Sequence, residues 1–342
     1  MTDTPSDQGR GPSVNPVPEG AKEGPLAPYR GERVPAPDWF ARAIAQTGVP
    51  GHVEVDGVRV SYRRWGQPDQ PGLLLTHGNG AHERWWDCIA PYLARDYHVV
   101  AMTLSGMGDS DWREAYSLDM FVREQMAVCE ATGLFDHGVP PIIVGHSFGG
   151  FVTILTGALY GDRLSGTVLV DSPVNPPDRD GEGGPPRGPR PNRTYPTLKA
   201  GLARFRLAPP QDCENLFIVD HIARHSLKPV EGGWTWKFDP HIWQRFSIGN
   251  TAQRLRETRC RIGIFRGEYS AIFPPDVGDY MFSLLGHAVP VIEVPEARHH
   301  IMLDQPLAFV AALRTLLMDW DHSRPNRIIP PSAGDLLAPL DD

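Results

Sequence analysis

The sequence predicts an α/β fold: a mostly parallel eight-stranded sheet flanked by helices, with an inserted helical lid. Three observations carry this expectation. Short apolar runs alternate with helix-length segments from about residue 50 to residue 320. Near the start, Asp56-Gly57 separates two alternating runs, which is a strong signal for an antiparallel hairpin. Finally, the pentapeptide Gly145-His146-Ser147-Phe148-Gly149 stands between the apolar run Pro141-Ile142-Ile143-Val144 and the helix-like Phe151-Val152-Thr153-Ile154-Leu155.

The elements follow in order. Val53-Glu54-Val55 and Val58-Arg59-Val60-Ser61-Tyr62 form the hairpin. Leu73-Leu74-Leu75, Val99-Val100-Ala101-Met102, Ile142-Ile143-Val144, Val168-Leu169-Val170, Ile262-Gly263-Ile264-Phe265 and Val291-Ile292-Glu293-Val294 are short, apolar on both faces and read as buried parallel strands. Helices are expected over Glu83–Ala94, Leu118–Thr132, Phe148–Tyr160 and Leu307–Trp320, on both faces of the sheet. Residues 171–260 break the rhythm, being too many for one crossover. They open with a Pro-, Gly- and Arg-rich loop, Pro176–Pro191, followed by helical segments near Tyr195–Arg206, Cys213–Ser226 and Pro240–Ile248. An insertion at this point falls over the carboxyl edge of the sheet, where ligands of open α/β sheets bind.

The expected organisation is therefore a poorly ordered Pro/Gly-rich tail over residues 1–37, a core in two parts (38–173 and 259–321), a helical lid over 174–258, and a second tail over 322–342. A formal net charge of -8 argues against nucleic acid as a partner. No apolar run approaches the roughly 20 residues of a membrane span. The polar start lacks the pattern of a secretory signal. Cys88, Cys129, Cys213 and Cys260 are widely spaced and read as reduced thiols, neither a disulfide framework nor a metal site. A cytoplasmic protein with a small-molecule substrate, and with no metal or cofactor, is the expectation; its oligomeric state is left open.

The pentapeptide carries the chemistry. A G-x-S-x-G turn between strand and helix is so sharp that its apex residue is strained and its hydroxyl is pushed out above the sheet. The following helix aims its first N–H groups at that hydroxyl. A serine needs an imidazole to take its proton and return it to a leaving group. Two aligned backbone donors must also face the developing oxyanion. The N–H of Phe148 is one candidate. That of Asn79, in His77-Gly78-Asn79-Gly80, is the other, with Gly78 and Gly80 permitting a tight turn.

Four segments in this order resemble the α/β-hydrolase superfamily, in its serine-nucleophile branch, over roughly residues 50–320: His77–Gly80, Ser105-Gly106-Met107-Gly108-Asp109-Ser110, the elbow at Ser147, and Ala297-Arg298-His299-His300. The resemblance implies Ser147 as nucleophile and His299 as general base. His300 competes with it, but Ile301–Pro306 aligns better with His299 as the base. An acid between Ser147 and His299 would complete the set. Relatives usually place an aspartate three or four residues after a glycine that ends the seventh strand, whereas here Gly267-Glu268-Tyr269-Ser270-Ala271 offers serine and alanine. Two carboxylates remain: Asp171, at the end of the sixth strand, is favoured, and Glu268 is the alternative. Either serves if it reaches the far nitrogen of the imidazole.

Trp85, Trp86, Trp234, Trp236, Phe238 and Trp243 are candidate pocket aromatics. Arg187, Arg190, Arg193, Arg204 and Arg206 are candidate contacts for an anionic group. The expected activity is cleavage of an ester, lactone or thioester through a covalent acyl-enzyme. Hydrolysis of an activated carbon–carbon bond by the same Ser/His pair, or a non-catalytic small-molecule receptor, are the alternatives. Serine at the elbow argues against epoxide and haloalkane hydrolysis, which need a carboxylate there.

Overall fold

A computed structural model describes residues 23–179, 192–243, 246, 249–285 and 289–323 of the chain. In chain order the strands are β1 (Val49–Val55), β2 (Val58–Trp65), β3 (Gly72–Thr76), β4 (His98–Met102), β5 (Ile142–His146), β6 (Gly166–Val170), β7 (Leu227–Val230), β8 (Gly233–Trp236), β9 (Arg261–Gly267) and β10 (Val291–Val294). The helices are α1 (Asp38–Ala45), α2 (Ala90–Leu93), α3 (Leu118–Ala131), α4 (Phe148–Tyr160), α5 (Leu198–Leu202), α6 (Leu216–His225), α7 (Thr251–Arg256), α8 (Pro275–Leu285), α9 (Ile301–Asp304) and α10 (Pro306–His322).

Eight strands form one sheet in the order β1-β2-β4-β3-β5-β6-β9-β10. The first two pair antiparallel around Asp56-Gly57, β2 also runs antiparallel to β4, and every later pair is parallel. The α/β fold expected from the strand pattern is the one observed. Alternation along each strand explains why the runs are apolar throughout. Leu73, Leu75, Val99, Ala101 and Val144 pack on one face, with α1, α2 and α10. Leu74, Val100, Met102 and Ile143 pack on the other, with α3 and α4. Both faces are covered, so apolar residues dominate these strands and the few polar ones, such as Thr76, His98 and Thr167, are buried.

Several boundaries differ from expectation. The helix expected over Glu83–Ala94 is a 3-10 turn at Glu83–Trp86 followed by α2, because Pro91 restarts the helix. Residues 23–37 do not behave as a loose tail. Leu26 is 3% exposed within the core, Gly24 N–H donates to the Ala203 carbonyl at 2.8 Å, and Arg224 donates to the carbonyls of Gly31 and Glu32. Residues 1–22 and 324–342, with most of the two expected tails, lie outside the described residues.

Between β6 and β9 the described residues contain α5, α6, the β7–β8 hairpin and α7. The hairpin falls between the helical segments expected near Cys213–Ser226 and Pro240–Ile248, where no strand was expected; Gly232 and Gly233, at φ 81° and 146°, lie at its turn. Among the side-chain contacts that tie this segment to the core are His82 Nε2 with Ser226 Oγ (2.9 Å), His221 Nε2 with Asp87 (2.8 Å), and the Tyr116 hydroxyl donating to Asp239 (2.6 Å). Arg187, Arg190 and most of the Pro176–Pro191 loop lie outside the described residues, as do four residues of the segment Pro240–Ile248.

Candidate active site

The end of β5 sets the geometry. Ser147 follows the strand directly with φ 50° and ψ -118°, a region that costs a non-glycine residue roughly 1–3 kcal/mol. Two backbone bonds hold it there: Ser147 N–H donates to the Val170 carbonyl and Gly150 N–H to the Ser147 carbonyl, both at 2.9 Å. The turn has no room for side chains around it. A Cβ on Gly145 would strike the Gly149 carbonyl, one on Gly149 the His77 carbonyl, and one on Gly150 the Ser172 hydroxyl. Among residues 145–150, Ser147 alone is not fully buried. Helix α4 starts at Phe148, next to the serine.

The imidazole and its acid come from the opposite side of the sheet's centre. His299 lies after β10 and is 2% exposed; its Nδ1 is 2.7 Å from Asp171 Oδ2. Asp171 is fully buried at the end of β6, itself at a positive φ of 47°. Both of its oxygens are occupied. Oδ1 accepts from Gly267 N–H at 2.9 Å, and Oδ2 accepts from the Ser270 hydroxyl at 2.6 Å as well as from His299. Ser270, at a position where the sequence pattern led to the expectation of an aspartate, bonds Asp171 instead. Glu268 is elsewhere: it is exposed, and its Oε2 accepts from the Glu296 N–H. Of the two carboxylates, the structure brings Asp171 to the imidazole and leaves Glu268 at the surface.

With Nδ1 facing a carboxylate, the remaining nitrogen of His299, Nε2, is buried and has no protein partner. The His146 ring, next to Ser147, lies 4.8 Å from the His299 ring, and a Cβ on Gly78 would be 2.9 Å from His146 Nδ1 and 3.1 Å from Ser147 Cβ. The His77–Gly80 loop thus touches the elbow, and the His146 ring lies against the His299 ring; no hydrogen bond joins Ser147 to His299, whose Nε2 is unpartnered. His77 fixes that loop. Its Nδ1 donates to the Gly78 carbonyl at 2.7 Å while its Nε2 accepts the Leu104 N–H at 3.0 Å, which defines a neutral tautomer. Burial pushes its pKa down to about 4. Because the peptide is trans and planar, holding the Gly78 carbonyl to one side turns the Asn79 N–H to the other.

A cavity of about 310 Å³ opens beside the loop, lined by Asn79, Gly80, His82, Trp85, Trp236 and Phe238 and bordered by Arg204, Arg206 and Lys237. Lys237 pairs with Asp109 at 2.6 Å. Of the predicted aromatics, Trp86 is wholly buried in the core, Trp243 packs edge-on against Phe148, and Trp234 pairs with Tyr195 within the hairpin. Arg193 contributes its carbonyl to Thr235. His300, the rival to His299, is buried with neither ring nitrogen bonded to protein, its ring tilted at 59° to that of Trp85 with centres 5.3 Å apart. His146, whose ring packs against both His299 and His300, was not singled out from the sequence; its place as the variable residue of the pentapeptide gave no signal.

An α/β sheet carrying a strained serine after its fifth strand defines a broad class, and the sequence comparisons narrow it. The profile of the alpha/beta hydrolase family matches residues 73–313, and the chain belongs to that family. Curated relatives include lipase LipV of Mycobacterium tuberculosis (34% identical over 113 residues, 33% of this chain and 41% of that protein) and human monoglyceride lipase (29% over 134 residues, 38% and 44%). The 2-hydroxy-6-oxo-6-(2'-aminophenyl)hexa-2,4-dienoic acid hydrolase of Metapseudomonas resinovorans is 33% identical over 124 residues, covering 35% of this chain and 41% of its own. The chain spans less than half the length of each of these. Among solved structures, a thioesterase domain from the curacin biosynthetic pathway superposes with a TM-score of 0.63 at 21% identity, covering 79% of this chain and 99% of its own. An esterase from M. tuberculosis gives 0.61 at 22%, covering 88% and 100%. These two show the same fold.

Proposed function

We propose that the chain is a serine hydrolase that cleaves a carboxylic ester, lactone or thioester of a small molecule. What supports this reading is the buried His299–Asp171 pair, with His299 Nε2 left unpartnered, together with the strained Ser147 at the end of the strand next to β6. Ser147 Oγ attacks the carbonyl carbon as its proton passes to Nε2; Asp171 holds the tautomer and stabilises the imidazolium. The N–H groups of Asn79 and Phe148 receive the oxyanion. The alkoxide or thiolate leaves with the proton from Nε2, and a water then repeats the sequence on the acyl-enzyme. The segment between β6 and β9 acts as the lid, and the cavity of about 310 Å³ at its edge holds a compact substrate. No metal or cofactor enters these steps. Among the described residues no helix is long and apolar enough to cross a membrane, and the assignment to the cytoplasm belongs to this proposal.

A second reading is hydrolysis of an activated carbon–carbon bond, favoured by the match to the hexadienoic acid hydrolase. The receptor reading loses its main support, since the missing aspartate has a substitute. Epoxide hydrolase 4 of Mus musculus also matches (25% identical over 124 residues), but Ser147 cannot form the alkyl-enzyme ester that such chemistry needs. A panel of p-nitrophenyl esters, lactones, thioesters and a vinylogous 1,5-diketone, assayed with wild type and Ser147→Ala, tests these readings. Turnover of an acyl substrate by wild type alone, with fluorophosphonate labelling of Ser147, is expected. Folded protein that neither labels nor turns over any of them overturns the proposal.

A further inference from the structure

His146, His299 and His300 form a closed triangle of buried imidazoles, with ring centres 4.8, 5.4 and 4.7 Å apart. One nitrogen from each lies within 4.8 Å of the others. Three imidazoles bound to one zinc ion at about 2.1 Å place their ring centres roughly 5 Å apart, so the triangle already has the dimensions of a three-histidine site. Closing the nitrogens to the roughly 3.4 Å of a tetrahedral set takes ring rotations of about an ångström.

The protein contacts of the three rings differ in a way that suits a metal. A metal-bound histidine donates its other N–H to a carboxylate or a carbonyl, which fixes the tautomer and raises the basicity of the ligating nitrogen. His299 does this through Nδ1 to Asp171 at 2.7 Å. His146 Nε2 donates to the carbonyl of His299 at 3.1 Å, which leaves the lone pair on Nδ1, the nitrogen set next to Gly78, so that this ring has to turn to present it. His300 is 2% exposed, and neither of its nitrogens has a protein partner. His299 Nε2 has none either. A second group, Asp87 with His221 and His225, is less suited: His221 Nε2 already bonds Asp87 at 2.8 Å and the Arg84 guanidinium sits 3.1 Å from the same carboxylate.

We infer that His146, His299 and His300 bind one zinc-class transition-metal ion, and that its binding switches the hydrolase off. The site itself stands on geometry; the inhibition rests on the proposed role of His299. The lone pair of Nε2 that would take the Ser147 proton goes to the metal instead, so occupancy and proton transfer exclude each other. Asp171, which holds the imidazole for catalysis, holds it equally for the ion. The metal acts as an inhibitor here, with no part in turnover.

The test uses the purified full chain, stripped with chelator, and Zn²⁺ as the probe. Calorimetry is expected to find one ion per chain bound through these residues, ester hydrolysis to fall in step with occupancy, and chelator to restore it. His300→Gln, read against its own metal-free rate, should raise the inhibition constant at least about tenfold. His225→Asn should not move it. Zinc-edge X-ray absorption of the wild-type complex counts imidazole ligands without any substitution, and three are expected. Absence of binding, sulfur ligation, zinc-stimulated turnover, or sensitivity to His225→Asn in place of His300→Gln overturns the inference. Should wild type hydrolyse nothing yet bind zinc through three imidazoles, the functional proposal fails while the metal site stands.

Discussion

The carboxyl edge of the sheet and the segment between β6 and β9 hold their polar groups with different emphasis. At the edge the backbone does the holding. Ser147 and Asp171 both sit at positive φ, and Asp171, His77 and Ser147 are each fixed by main-chain donors or acceptors. In the overlying segment, side chains reach across 123, 134 and 144 residues of sequence to meet singly: Tyr116 with Asp239, Asp87 with His221, His82 with Ser226. A group fixed by backbone has no second arrangement to adopt when its partner changes. A segment held by several separate ties loses only one when a side chain is trimmed. Damage at the edge should therefore register in the chemical step, and damage above it in stability and substrate binding.

The sharpest way to break this contrast is Asp171→Asn. The amide keeps the shape but presents a donor where His299 needs an acceptor. Turnover of a p-nitrophenyl ester should fall by about 10⁴, with thermal unfolding showing a retained fold. Glu268→Gln, 28 positions before its Glu296 partner and exposed, should stay within about twofold of wild type. Equal losses in the two variants would put the acid back in doubt.

Acid exposes the next largest effect. Burial holds His77 down to about 4, against about 6.5 in the unfolded chain, and burial also holds His82 well below its usual value. Between these limits the unfolded state binds more protons, so stability is complete above pH 6.5 and drains away as pH falls toward 4. His77 alone accounts for about 3 kcal/mol of that loss. Urea midpoints measured from pH 7.5 down to 4.5 should decline steadily. A flat profile would mean that the edge opens without exposing the loop.

Ser270→Ala is gentler, since Asp171 keeps Gly267 N–H and His299. Losing one hydrogen bond to a buried carboxylate is worth about 2 kcal/mol, or roughly thirtyfold in kcat. KM should hardly change, because Ser270 supports the acid and does not line the cavity. A change confined to KM would argue that Ser270 works by some route other than Asp171.

The edge was legible in the sequence because its requirements are local. Glycines at 145 and 149, an apolar run before them and a helix after them are read within a dozen residues, and the same holds for Gly78 beside His77. Asp171 was legible only as one of two carboxylates. The meeting of His299 with Asp171, 128 residues apart, and of Ser270 with Asp171, 99 apart, is of a kind that no local pattern encodes. The overlying segment was misread for a related reason. Trp234-Thr235-Trp236 alternates as a strand should, and the run facing it tolerates Pro229 because the hairpin forms at an edge. Helix α8 begins on Pro275, a fair start signal, but its apolar face covers β9 only once the sheet has assembled.

The smallest effect should come from cutting one tie above the sheet. The Tyr116 hydroxyl donates to Asp239 at 2.6 Å and accepts the Arg113 N–H at 2.9 Å, while the other Asp239 oxygen accepts the His241 N–H at 2.8 Å. Tyr116→Phe removes the hydroxyl and leaves the ring packed on Phe121 at 6.0 Å. Asp239 keeps one bond, and the main-chain contact between Asp239 N–H and the Gly106 carbonyl at 2.8 Å still joins the segment to the core. The cost should be about 1 kcal/mol in unfolding free energy. Because Phe238 lines the cavity next to Asp239, KM should rise a few-fold while kcat stays put. Should kcat fall as far as it does in Ser270→Ala, the segment would be part of the chemical machinery, and the division between a backbone-held edge and a side-chain-tied cover would have to be abandoned.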